Sequence, residues 1–199
     1  MSTTTLKLPK PPPLFISTHP SHATQNLPLL SQLYTTCNHS CHRFPNVNLD
    51  PNGQALTEPV DIGKLGVAVE NSDVVVTVWE ERQGLEWWEK WGKKMGERGG
   101  ERLVGFGRAV SDLGLTASIY DVMVIPSLRR MGIGRKIVQK ITRLLTNRGI
   151  YDISAVCSDD ERLFFEACGF GDDLLGSTTM MYARTDLSHV ESCEIVQAG

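Results

Sequence analysis

Between Val122 and Arg135 the chain passes from a β-branched run, past Pro126, through a turn holding two arginines and two glycines, and into an amphipathic helix. No other stretch limits the architecture so tightly. A strand that turns sharply into a helix is the first half of a strand–helix–strand crossover, and such crossovers join parallel neighbours. Ile133, Ile137, Ile141 and Leu144/Leu145 recur at i, i+4, i+8 and i+11/12, which predicts a helix over 132–147. Arg135, Lys136, Gln139, Lys140 and Arg143 fill its other face, and Gly149 follows as a stop. Ile150–Cys157 reads as the returning strand, so Ile119–Cys157 is a βαβ unit.

Upstream, Leu103–Val110 and Ser118–Ile125 are predicted strands around the turn Ser111-Asp112-Leu113-Gly114, an antiparallel hairpin. Asp73–Trp79 is a further strand, and Ile62, Leu65 and Val69 mark a short helix before it. The polar stretch 84–102 puts Trp87, Trp91 and Met95 on one helical face, with Trp88 beside them. A helix over Asp159–Cys168, stopped by Gly169, and a last strand over Thr178–Thr185 complete the pattern. The expected class is α/β (α+β): a mixed central sheet, antiparallel at its N-terminal strands, with a parallel pair and flanking helices.

The N-terminus differs in kind. No Asp or Glu precedes Asp50, hydroxyl residues are dense, and Pro11-Pro12-Pro13 blocks a helix. Such a segment is expected not to fold alone. Residues 1–53 therefore read as an organelle transit peptide. The near-absence of Arg points to the plastid stroma, and cleavage is expected between Cys37 and Gln54. A domain over 54–187 and a flexible tail over 188–199 follow. Cys37, His39, Cys41 and His42 are potential ligands, but without a second separated cluster no metal is expected. The five cysteines form no disulfide framework, which suits a reducing compartment. A formal charge of −3 offers no general attraction for nucleic acid, and no apolar run reaches the roughly 20 residues of a membrane span.

The turn itself carries chemistry. Glycines at 132 and 134 let backbone approach an anion closely, and the first amides of the following helix have no intrahelical partners. The helix dipole adds about half a positive charge there, and Arg129, Arg130 and Arg135 supply further donors. A phosphate site is predicted. The spacing is neither G-x-x-x-x-G-K-[ST] nor G-x-G-x-x-G, which excludes the Walker loop and the dinucleotide fingerprint.

Arg129-Arg130-Met131-Gly132-Ile133-Gly134 resembles the Arg/Gln-x-x-Gly-x-Gly/Ala signature of the GNAT acetyltransferases. Tyr120–Pro126 before it and Phe164–Phe170 after it fit in order and spacing, over roughly 62–185. With the transit-like N-terminus the whole resembles plant plastid GNATs, which acetylate protein lysines, N-termini or arylalkylamines such as serotonin. The resemblance implies acetyl-CoA as co-substrate and no metal. Backbone groups of Val122, Met123 and Val124 would line the pantetheine arm, and amides from Arg129 through Arg130, Met131, Gly132, Ile133, Gly134 and Arg135 would hold the pyrophosphate. It implies two parallel strands, those of Val124 and Val156, splaying around the thioester. Asp121 is the expected base, because a lysine-type amine must lose its proton before attack. Two positions depart from the family. The usual acid tyrosine is Phe165 and the usual asparagine is Ser158, so Tyr182 or water is left to protonate the thiolate. Phe165 would still pack against the cofactor. The rival expectation is a GNAT-fold acetyl-CoA sensor of weak activity.

Overall fold

The computed structural model describes residues 13–40, 47–49, 51, 55–81 and 101–172. The elements are β1 (Leu14–Ser17), α1 (Pro20–Thr24), α2 (Leu27–Cys37), the small hairpin β2 (Val47–Leu49) and β3 (Ala55–Thr57), α3 (Ile62–Glu70), β4 (Val74–Glu81), β5 (Glu101–Ser111), β6 (Thr116–Val124), α4 (Ile133–Thr146), β7 (Asp152–Ala155) and α5 (Asp159–Ala167). Five strands form one sheet in the order β1-β4-β5-β6-β7. The first three pairings are antiparallel and β6/β7 is parallel, the mixed α/β sheet that the periodicities require.

Burial explains the strands. Val74 to Trp79 are all buried, as expected of a central strand with both faces covered. On one face lies α4, whose Ile133, Ile137, Ile141 and Leu145 are buried. Gly105 and Gly107 of β5 admit it: a Cβ on Gly107 would sit 2.5 Å from Ile137 Cγ2. Helices α1, α2 and α3 cover the other face, where the Tyr34 ring of α2 lies 6.2 Å from that of Phe106. Asp61 caps α3 by accepting from the Lys64 amide at 2.8 Å. Asp112 closes the β5–β6 turn by accepting from the amides of Gly114, Leu115 and Thr116.

The segment expected not to fold alone is ordered as part of the domain: it supplies β1, which pairs with β4, and α2, whose Leu30, Leu33 and Tyr34 are fully covered. Leu27, Leu30, Leu33, Tyr34 and Cys37 recur at helical spacing, and Pro28 lies in the first turn, where it costs no hydrogen bond. The absence of acids masked an ordinary amphipathic helix. Cleavage between Cys37 and Gln54 would remove part of the core. The tryptophan-bearing stretch, the strand expected at Thr178–Thr185, Tyr182 and the tail from 188 lie outside the described residues.

Candidate active site

The turn before α4 is arranged as an anion cradle. Pro126–Leu128 form one 3₁₀ turn, then Arg130 (φ 64°) and Gly132 (φ 77°) both take left-handed backbone. Gly132 is the N-cap residue, and among the described residues no side chain caps the helix start. The amides of Ile133, Gly134 and Arg135 occupy the first turn, where a helix has no internal acceptors for them. That turn holds no acid, while Arg135 and Lys136 place cations at the helix's positive end. Both choices work against the isolated helix and both suit a bound polyanion. Gly134 packs under α5, where a Cβ would lie 3.1 Å from the Phe164 ring.

Strand β6 forks from β7 beside this turn. The parallel pairing runs from Thr116↔Asp152 to Ile119↔Ala155, where β7 ends, while β6 continues to Val124. The Ile125 amide donates to Val104 O of β5 at 3.0 Å, so the alternation of the ladder turns Val122 and Val124 toward the gap and Met123 toward β5. Met123 is 4% exposed and can contribute only as wall. A register shift opposite Phe106–Arg108 puts an extra residue into β6, and there Asp121 takes φ 55°. This is a β-bulge, which re-aims a strand locally.

The bulge is pinned by charge. Asp121, with a side chain only 7% exposed, accepts from Arg108 Nε at 2.6 Å and from His39 Nε2 at 3.2 Å. Burial pushes its carboxyl pKa up, but the His39 hydrogen bond and the Arg108 charge outweigh that and hold it below the ordinary aspartate range. The expected free base is thus an ion-paired carboxylate, and a stabilised anion is a weak proton acceptor. Arg108 also reaches Ser72 Oγ at 3.4 Å and stacks 5.2 Å from the centre of the Tyr120 ring.

Three further positions have partners within the protein. The Arg129 side chain turns away from the cradle. Its Nε donates to Val124 O at 3.1 Å and its Nη2 to Cys37 O at 3.4 Å, fastening the C-terminal turn of α2 to the end of β6. A cation at a helix C-terminus is favourable there. Ser158 is the N-cap of α5: its amide and hydroxyl both donate to Glu161 Oε2, at 3.0 and 3.1 Å, so this side chain is engaged locally. Phe165 is buried with its ring 5.1 Å from Phe164 and 5.6 Å from Phe170.

The combination of uncapped amides, a forked parallel pair and a bulge at the fork has counterparts. The profile described as Acetyltransferase (GNAT) family matches residues 70–170. The chain belongs to the GNAT acetyltransferase family. "GCN5-related N-acetyltransferase 3, chloroplastic" of Arabidopsis thaliana is 43% identical over 210 residues, covering 89% of this chain and 86% of that protein. "Histone acetyltransferase TAP1" of Glycine max is 31% identical over 136 residues, 65% of this chain and 54% of that one. A probable acetyltransferase of unknown function from meticillin-resistant Staphylococcus aureus shares the fold with a TM-score of 0.57 at 16% identity, over 86% of this chain and 99% of that chain. In this GNAT domain the roles of Tyr34 and Arg108 are not evident from the sequence, and His39, there only a potential metal ligand, is paired with Asp121. The available signal was Arg108 and Asp121, opposite charges embedded in neighbouring apolar strands of one hairpin.

Proposed function

We propose that this acetyltransferase moves an acetyl group from acetyl-CoA to a primary amine inside a plastid. The observation that carries this is the start of α4: three uncapped amides, no acid and flanking cations beside an open strand fork. The amides of Ile133, Gly134 and Arg135, with Arg130 and Met131 in the approach, hold the pyrophosphate. Backbone groups of Val122 and Val124 align the pantetheine as an added strand. Phe165 and Phe164 wall the thiol end. Arg129 acts one step removed, by fixing the carbonyl of Val124. The acceptor is a protein lysine or N-terminus, or an arylalkylamine such as serotonin. A protein acceptor draws support from the soybean relative named as a histone acetyltransferase. Plastid residence draws support from the Arabidopsis relative named chloroplastic. Any removable leader then ends before Leu14, because β1 belongs to the sheet.

Titration calorimetry with acetyl-CoA tests the reading directly, and absence of binding refutes it. Thiol release from acetyl-CoA, followed with a lysine peptide and with serotonin, assigns the acceptor. One feature favours a second reading. Phe165 carries no hydroxyl and is enclosed by two aromatic rings, which suits an acetyl-CoA-binding sensor of weak turnover. Binding without thiol release from either acceptor would select it.

A further inference from the structure

We infer that His39, a residue of the N-terminal segment, is the group that takes the proton from the acceptor amine, with Asp121 as its orienting carboxylate. The inference rests on the transferase reading above. Its ground is the placement of groups on the two faces of the sheet. Glycines 105 and 107 face α4, and Val122 lies with them, since a Cβ on Gly107 would meet Val122 Cγ2 at 3.6 Å. Phe106 and Arg108 alternate to the opposite face, toward Tyr34 and Ser72. Asp121 joins them, because its carboxylate bonds Arg108 and His39. The phosphate cradle opens on α4, so a thioester passed through the fork presents its carbonyl toward α2. An amine must approach from there.

His39 stands at that opening. It follows α2 directly, and its amide donates to Tyr34 O at 3.0 Å, closing the end of the helix. Its ring meets Tyr34 edge-on at 5.5 Å, which fixes the ring plane. An ionised carboxylate can only accept, so the nitrogen facing Asp121, Nε2, carries the hydrogen. Nδ1 is then left with the lone pair. The ring keeps about a quarter of its surface open, at 23% exposure, against 7% for Asp121. Asp121 cannot easily serve as the base, since Arg108 stabilises its anion. The imidazole it orients can, because the nitrogen turned away from Asp121 keeps a lone pair for a proton. This is the carboxylate–histidine arrangement in which the acid fixes tautomer and orientation.

The step balances without further reagents. The charged amine first gives a proton to His39 Nδ1, which passes it to solvent. The neutral nitrogen then attacks the thioester carbon, the C–N bond forms, and the C–S bond breaks with its electron pair leaving on sulfur. The surplus proton of the ammonium so formed passes to His39 Nδ1. It is later released to solvent, and the thiolate takes a proton from water.

The test compares wild type with His39→Gln and His39→Ala, using a lysine peptide and serotonin as acceptors and calorimetry with acetyl-CoA in parallel. The glutamine variant keeps a donor toward Asp121 and serves as the folding control. The expected result is acetyl-CoA affinity unchanged in both variants and kcat down by about a hundredfold. Added imidazole should restore part of the rate to His39→Ala only. A purely structural histidine would not respond to imidazole. Turnover of His39→Gln within a factor of two of wild type, or a slow His39→Ala that imidazole leaves unchanged, overturns the inference. Wild type that fails to bind acetyl-CoA, or binds it and acetylates neither acceptor, removes the transferase reading itself and this inference with it.

Discussion

At the scale of single residues, the Arg108–Asp121 pair governs the site. Removing one partner of a buried pair leaves the other charged without compensation, at a cost of about 3 kcal/mol or more. Asp121→Asn is therefore expected to lower the unfolding free energy by about 3 kcal/mol at pH 7, read from urea denaturation. The pH dependence has a fixed sign. The folded-state pKa of Asp121 lies below its unfolded value, so its contribution is fully present above about pH 4 and is lost as pH falls from there through the folded value. Wild type and Asp121→Asn should converge in stability on acidification below about pH 4. A constant gap down to acid pH would show that the pair contributes nothing through charge. Sequence could nominate Asp121 as functional, because the family resemblance sets the thioester beside its strand. It could not show the pairing, which depends on a 13-residue separation closing across a hairpin and an 82-residue separation closing across the fold.

Among the elements, the glycines of β5 and the α4 turn do different physical tasks. Gly107 makes room, and a methyl there would drive into Ile137. Gly107→Ala should destabilise the domain by about 1–3 kcal/mol, visible as a lowered melting temperature. Gly132 supplies conformation instead: a Cβ there would meet nothing within 4 Å, but φ is 77°. Gly132→Ala should cost about 1 kcal/mol in the same measurement, by the left-handed penalty alone. Finding the two variants equally harmed, or the order reversed, would contradict this division. Most elements were legible because their periodicity was strong: the α4 stripe, the β-branched run of β4 and the β5–β6 hairpin. The β6 bulge was not legible, since aspartate tolerates left-handed backbone but nothing in the local sequence requires it. Helix α2 was not legible: its prolines and dense hydroxyl residues read as a segment without helical periodicity, although Leu27, Leu30, Leu33, Tyr34 and Cys37 do recur at helical spacing.

For the molecule as a whole, the boundary of the folded unit lies further toward the N-terminus than composition implies. A chain beginning at Pro13 should fold and melt cooperatively. A chain beginning at Gln54 lacks β1, α1, α2 and β2 and uncovers the core around Phe106. Leu30, Leu33 and Tyr34 are each essentially fully buried, and each such side chain is worth roughly 1.5–3 kcal/mol. Their joint loss rivals the 5–15 kcal/mol that holds an ordinary domain together. Circular dichroism of the shorter chain should show no cooperative transition, and a native-like melt would refute the placement of residues 14–40 in the core.

The bond from Arg129 to Cys37 joins positions 92 residues apart, and β1 pairs with β4. Synthesis delivers the first strand and the two helices after it long before the groups that fasten them. A nascent chain ending before Arg129 already holds α3 and β5, against which α2 packs, but carries that helix without its clasp. Contacts so distant along the chain also slow the search for the native state. The face that would receive an amine thus begins with the first part of the domain to be made, and its clasp arrives only with Arg129.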